Sequence, residues 1–400
     1  MSFYLFLLVF ASARAINLRF PYGTQPVRGV SLGGWLVLEP WITPSLFVNT
    51  GNPNIVDEWT FAQLQNTNTA RSALQNHWST FYTESDFSAI AAAGLNHVRI
   101  PIGYWAFDTS AGEPYINGQF PHLKTAVTWA ANHGLKVMID IHGVPGSQNG
   151  FDNSGHTGPA NWANDQNNIR LEFSQQKYAG VVTSISVINE PAPFKSSNIL
   201  QAARQLYLDS YALIRNPFSN GAVGNLLMVI SDAFQPLSFW NGFMKDHSKY
   251  QGVALDHHSY DVFSNAEVAK SYSQHINSIC QVGQDIRNNA AANLWTIVGE
   301  WTTASTDCAR SRYDGSFPGS PFVGNCGPKT GSASNFSPNY KVFMRRFYEA
   351  QVAAYELGKG WIYWTWKNES ADDWSYLAGL NGGWIPHNPS ERLYGNICGF

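Results

Sequence analysis

Residues 136–142 read Lys136-Val137-Met138-Ile139-Asp140-Ile141-His142. Apolar side chains fill both alternations of this run, so a strand here is buried on both faces, as in a covered parallel sheet. The run then ends on an acid and an imidazole. Working outward, the same design recurs at Val27–Leu32, His97–Ile100, Val182–Ile188, Leu226–Ile230, Val253–Leu255, Trp295–Val298 and Trp361–Tyr363. Stretches of helical period lie between most of them: Phe87–Ala93, Leu123–Asn132, Ile199–Ile214, Glu267–Ile279 and Tyr340–Leu357. Eight buried strands alternating with helices in one chain of this length predict an α/β fold, a (β/α)8 TIM barrel. An open doubly wound sheet is disfavoured, because no GxGxxG follows the first strand. No repeat or low-complexity linker divides the chain, so residues 16–400 read as one domain with decorated loops at the C-terminal face. The connections 43–69 and 302–339 are expected to decorate that mouth, and only a short or irregular helix fits between residues 164 and 179.

In such a barrel the site forms at the C-terminal ends of the strands, and polar clusters stand there. They are Arg99, Asp140 with His142, Asn189-Glu190-Pro191, Asp256-His257-His258-Ser259-Tyr260, Gly299-Glu300-Trp301 and Trp364-Thr365-Trp366-Lys367. Cleaving a glycosidic bond needs two carboxyl groups, one donating a proton and the other acting as nucleophile or base. Glu190 and Glu300 end the fourth and seventh strands, almost opposite each other across the barrel. Arg99 is the cation placed to keep Glu300 charged. A lone Asn-Glu-Pro also suits a strand-to-helix turn, so the weight rests on the whole set of strand ends.

These residues, in this order, resemble the fungal exo-β-1,3-glucanases of glycoside hydrolase family 5, over nearly the whole mature chain. The most specific stretches are Val27–Trp35 (VRGVSLGGW), Val98–Trp105 (VRIPIGYW) and His142–Gly155 (HGVPGSQNGFDNSG). Asn189-Glu190-Pro191, Gly299-Glu300-Trp301 and Trp364–Lys367 join them. The resemblance implies a retaining mechanism with Glu190 as acid/base and Glu300 as nucleophile. It also implies that Asn189 reaches the sugar 2-OH, that His142 and His258 line the glucose subsite, and that Tyr260 donates to the nucleophile. Glu39 would bind hydroxyls of the terminal glucose, Phe151 and Phe263 would clamp the next sugar, and Asn153 would bond nearby. Trp366, beyond Trp364 toward the strand's C-terminal end, is expected to be the platform beneath the glucose ring. The chain departs from the family where Ser259 replaces the third of three His, and where Ser231-Asp232-Ala233-Phe234 replaces His-Asp-Ala-Phe.

Composition bounds the partners. Charged residues make up 13% of the chain and the net charge is −3 without a basic block, which argues against nucleic acid. Aromatics reach 14%, including 15 Trp, so most rings belong to a large core and a few are free to face sugars. The apolar run Phe3–Phe10 followed by Ala13-Arg14-Ala15 reads as a signal peptide over residues 1–15, although no basic residue precedes it. It is far short of the ~20 residues of a spanning helix, so no membrane anchor is expected. A secreted, extracellular or cell-wall protein follows. Cys280, Cys308, Cys326 and Cys398 then suggest disulfides with three possible pairings. Cys308–Cys326 would close a Gly/Pro/Ser-rich loop, and Cys280–Cys398 would pin the C-terminus. Asn335 and Asn368 stand in glycosylation sequons. No metal or cofactor is expected, because the histidines lack ligand spacing, and a monomer acting on β-glucan is expected. The rivals are an endo-β-glucanase or β-mannanase on the same barrel, and a non-catalytic glucan-binding protein.

Overall fold

The computed structural model describes residues 16–109, 112–164, 180–217, 224–311 and 329–400. Eight parallel strands close a barrel in sequential order: β1 (Val27–Ser31), β2 (His97–Gly103), β3 (Lys136–Gly143), β4 (Val182–Ser186), β5 (Leu227–Ser231), β6 (Val253–His258), β7 (Trp295–Glu300) and β8 (Gly360–Tyr363). Each expected apolar run is a strand, with ends shifted by one to three residues. The largest differences are β2, β3 and β6, which run further into their polar ends, and β4, which stops before Val187.

The helices among the described residues are α1 (Pro44–Val48), α2 (Glu58–Gln63), α3 (Thr67–Thr80), α4 (Glu84–Ala92), α5 (Gln119–Asn132), α6 (Ile199–Arg215), α7 (Asn265–Val268), α8 (Tyr272–Ala292), α9 (Cys308–Ser311), α10 (Pro338–Tyr355) and α11 (Tyr376–Gly382). Their starts follow local chemistry. Ser271 and Gln274 form a capping box on α8, and Ser337 caps α10 with Pro338 in its first turn. The connection 43–69, expected as a long loop, carries α1, α2 and the start of α3. The helical stretch expected at Glu267–Ile279 is split between α7 and α8. Residues 165–179 lie outside those described, as do residues 1–15, so the expected irregular helix and the signal peptide have no structural counterpart here.

Alternate strand residues serve two cores. Val137, Ile139 and Ile141 of β3 face the helix layer and join the main apolar cluster. Met138 faces inward, where it packs with Val27, Leu227, Val229, Ala254, Ile297 and Ile362. Phe20 and Tyr22, ahead of β1, plug this end of the barrel, and the Tyr22 hydroxyl donates to Thr183 at 2.7 Å. Burying a large side chain is worth about 1.5–3 kcal/mol, so this floor holds the strands in register beneath the site.

Cys280 on α8 is bonded to Cys398, with Cα atoms 5.3 Å apart, as expected. The expected Cys308–Cys326 pair lies outside the described residues, because Cys326 is not among them. Asn335 is exposed, whereas Asn368 is half-buried with its amide donating to the Trp41 carbonyl. No described helix is long and apolar enough to cross a membrane.

Candidate active site

The mouth of the barrel is built by the next inward position on the same strands. On β3, Asp140 and His142 follow Met138, and on β6, Asp256 and His258 follow Ala254. Arg99 projects from β2 and is fully buried. Its guanidinium donates to Glu300 Oε1 at 2.7 Å and to Asn189 Oδ1 at 2.7 Å, and pairs with Asp140 at 3.2 Å. Burial alone would lower the pKa of Arg99, but Asp140, Glu300 and Asp256 outweigh it and raise it. Asp140 is held below the usual carboxylate range, because Arg99 and His142 overcome its own burial. Its second oxygen meets His142 Nδ1 at 2.5 Å.

Glu300 ends β7, and its other oxygen accepts from the Tyr260 hydroxyl at 2.8 Å. The preceding Gly299 is required by packing: a Cβ there would fall 2.1 Å from the Asp256 carboxylate. Glu190 follows β4 and its backbone turns into the left-handed region at φ 45°, a conformation costing roughly 1 kcal/mol for a residue with a side chain. Asn153 donates to its Oε2 at 3.3 Å, and His258 Nδ1 lies 2.8 Å from its Oε1. His258 also lies 3.6 Å from Glu300 and 3.5 Å from Asp256. Burial would make this imidazole neutral, yet Glu300, Asp256 and Glu190 raise its pKa well above the ordinary value. His258, its charged form favoured by these acids, thus stands between the two glutamates, a neighbour that the sequence reading did not assign to Glu190. Single donor atoms of Glu190, His258 and Glu300 all lie within 4.8 Å of one another. Within this group His258 bonds to Glu190, while Glu300 is held by Arg99 and Tyr260.

Among the buried polar atoms near these acids that have no hydrogen-bond partner are His142 Nε2 and Asn189 Nδ2. With Asn189 Oδ1 fixed by Arg99, its amide N–H is left unpaired. Glu39 is buried in the loop after β1, accepting from the Trp41 indole at 3.0 Å. Phe151 is buried, with the Lys195 ammonium 5.0 Å from its ring, and Phe263 is half-buried against Tyr260 at 5.0 Å. Ser259, the departure from the family's third His, faces the helix layer and accepts from Tyr355.

The expectation for Trp366 is corrected. Its ring is fully buried, its indole N–H donates to Asp86 on α4 at 3.0 Å, and it stacks toward Tyr376. The alternation argument that placed it in the mouth fails because β8 stops at Tyr363. Past that point the backbone N–H of Trp366 is bonded to the Ser31 carbonyl. Trp364 takes the inward position instead, parallel to His142 with ring centroids 5.5 Å apart and 5.8 Å from the Arg99 guanidinium. Sequence reasoning placed Asp140 and Asp256 among the polar strand ends but gave them no role, although each stands two residues before an assigned His on the same face. Phe194 and Phe234 were missed too. They are 64% and 42% exposed, 5.3 Å apart, and Phe194 lies 6.3 Å from Phe151, so an aromatic strip leads away from the pocket.

Paired acids in the mouth of a parallel barrel, one held by a cation and a phenol, are the equipment of a glycoside hydrolase. The cellulase family, glycosyl hydrolase family 5, matches residues 56–370. The chain belongs to this family and is a glycoside hydrolase. It is 41% identical, over 98% of its length and 96% of the relative's, to a probable glucan 1,3-beta-glucosidase A of Aspergillus niger. It is 42% identical to a glucan 1,3-beta-glucosidase of Blumeria graminis, over 96% of this chain and 92% of that one. Among solved structures, a rutinosidase from Aspergillus niger superposes with a TM-score of 0.68 at 19% identity, covering 93% of this chain and 99% of that one. At that identity the likeness shows the fold.

Proposed function

We propose that this chain is a secreted, retaining exo-β-1,3-glucanase that releases glucose from the ends of β-1,3-glucan, after removal of residues 1–15. The observation that carries the mechanism is the approach of the Glu190 and Glu300 carboxylates within 4.8 Å. An oxygen contact of that order supports the ~5–5.5 Å carboxyl spacing of retaining enzymes over the wider gap of inverting ones. The linkage is supported by the relatives, which are named for glucan 1,3-beta-glucosidase activity.

Glu300 attacks the anomeric carbon while protonated Glu190 gives its proton to the leaving oxygen. The C–O bond breaks and a glycosyl ester forms on Glu300. Glu190, now a carboxylate, takes a proton from water, which attacks the same carbon and frees glucose with its configuration retained. During the first half, negative charge leaves Glu300 and appears on Glu190. His258 stands beside both, so the counter-charge stays close throughout. Arg99 and Tyr260 hold the Glu300 anion in line, and the free Asn189 amide meets the 2-OH, a contact that strengthens in the transition state.

Incubation with laminarin tests the reading. Free glucose is expected from the first time points, with the β-anomer appearing before mutarotation. A ladder of oligosaccharides without early glucose would make the protein an endo-enzyme, and binding without cleavage would make it a glucan-binding protein.

A further inference from the structure

The first turn of α2 lies outside the pocket, yet three consecutive residues there hold three of the loops around it. Asp57 caps the helix through one oxygen, which accepts from the Thr60 N–H at 2.7 Å, and its other oxygen accepts from Thr157 N–H at 2.7 Å. The Trp59 N–H donates to the Gly155 carbonyl at 2.9 Å. These two contacts grip the loop after β3, which carries Asn153. Between them, Glu58 is 1% exposed. Its Oε2 accepts from the Leu38 N–H at 2.9 Å, next to Glu39 in the loop after β1. Its Oε1 accepts from the Trp105 indole at 2.8 Å and from Gln119 at 3.1 Å.

Every neighbour that reaches the Glu58 carboxylate is a donor, and neither the Leu38 amide nor the indole can turn round. A carboxyl group brings two acceptor oxygens to meet these donors. Trp105 is equally fixed, stacked on Tyr115 at 4.3 Å and pressed so close to Gly143 and Gly155 that a Cβ on either would meet its ring within about 2.5 Å. Burial pushes the Glu58 carboxyl up to about 7. An acid is a costly choice for a corner that only needs filling.

We infer that Asp57-Glu58-Trp59 is a positioning unit that sets Glu39 and Asn153 in the pocket from one rigid anchor, Glu58 acting through Leu38 and Asp57 through the loop after β3. The inference rests on the glucosidase reading, in which Glu39 binds glucose hydroxyls and Asn153 lies against the acid/base.

The test measures kcat and KM on an aryl β-glucoside and on laminaritriose for Glu58→Ala, Glu58→Gln and Asp57→Asn, each also combined with Glu39→Ala. Competent sites are counted by trapping the glycosyl enzyme with an activated 2-deoxy-2-fluoroglucoside, so misfolded protein does not enter the constants. Glu58→Ala is expected to raise KM about tenfold per competent site, and Glu58→Gln, which keeps one acceptor, about threefold. In the Glu39→Ala background Glu58→Ala should add less than about twofold, because residues acting through one another are not additive. Asp57→Asn should raise KM for laminaritriose about threefold and stay additive with Glu39→Ala, its route being Asn153. A full tenfold effect of Glu58→Ala in the double variant, or a lowered melting temperature with unchanged KM, overturns the inference. If Glu58→Ala does not fold, a wild-type KM in Glu58→Gln overturns it as well. Wild-type protein that cleaves neither substrate sinks the glucosidase reading itself, and this inference with it.

Discussion

The two ends of the barrel interior are made by the same strands and obey opposite rules. At the floor, Met138, Ala254, Ile297 and Ile362 pack against Phe20 and Tyr22, and the imidazole there, His97, is driven neutral, its pKa lowered by burial to about 3. One inward position further on, Arg99 and Asp140 are equally buried and His258 nearly so, yet the charged form of each is favoured, because each cation faces carboxylates. Burial is therefore not what decides ionisation in this molecule. The partner does, and partners appear only above the apolar layer. The floor supplies rigidity and dryness, and the mouth uses both to hold opposed charges a few ångströms apart.

The sharpest break of this contrast is at the mouth. Glu300→Ala should lower kcat by at least about 10⁴-fold with little change in melting temperature. Glu190→Ala should spare aryl glucosides whose leaving group needs no proton, and azide should restore further rate as the β-glycosyl azide. A β-azide from the position-300 variant, or an inverted α-azide from the position-190 variant, would exchange the two roles. Next in size is Arg99→Met, which strands Asp140 and Glu300 without their cation. It is expected to cost about 3–5 kcal/mol in denaturant unfolding together with most of the activity. Met138→Ala, beside Arg99 in the β2–β3 register but part of the apolar floor, should cost about 2–5 kcal/mol yet leave kcat per folded molecule unchanged. Equal losses of activity in both variants would mean the floor and mouth are one cooperative unit.

The smallest effect is on pH-dependent stability. Burial raises Glu58 to about 7 and Asp373 to about 8, while it lowers His77 to about 4 and His97 to about 3. A raised carboxyl keeps its proton in the folded state after the unfolded chain has lost it, so stability falls as pH rises from the unfolded value to the folded one. The lowered histidines act the other way, adding stability as pH rises to about 6.5. Above 6.5 the raised acids are joined by His258, whose raised pKa loses stability in the same direction, and the melting temperature is expected to decline from pH 6.5 to 8. A scan that climbs over that interval would show that the donors around Glu58 outweigh its burial.

The strands were legible because burial on both faces leaves continuous apolar runs, and Glu190, Glu300 and Arg99 because they interrupt those runs at one end. Asp140 and Asp256 were readable in principle from the period of two, since each precedes its His by that step. Trp366 was misread because the rule of alternation holds only while the strand lasts, and β8 is just four residues long. Glu58 left no signal in the sequence at all. Its neighbours Leu38, Trp105 and Gln119 come from separate segments that only the closed barrel brings together.

Cys280 and Cys398 close a covalent ring of the chain that contains β7, β8 and the Glu300 nucleophile. A protease that cuts any single peptide bond between residues 281 and 397 therefore releases nothing: both pieces stay tied through the disulfide. A nicked molecule of this kind keeps its last two strands within reach of the barrel they complete. It would run as one band on a gel without reductant and as two with it.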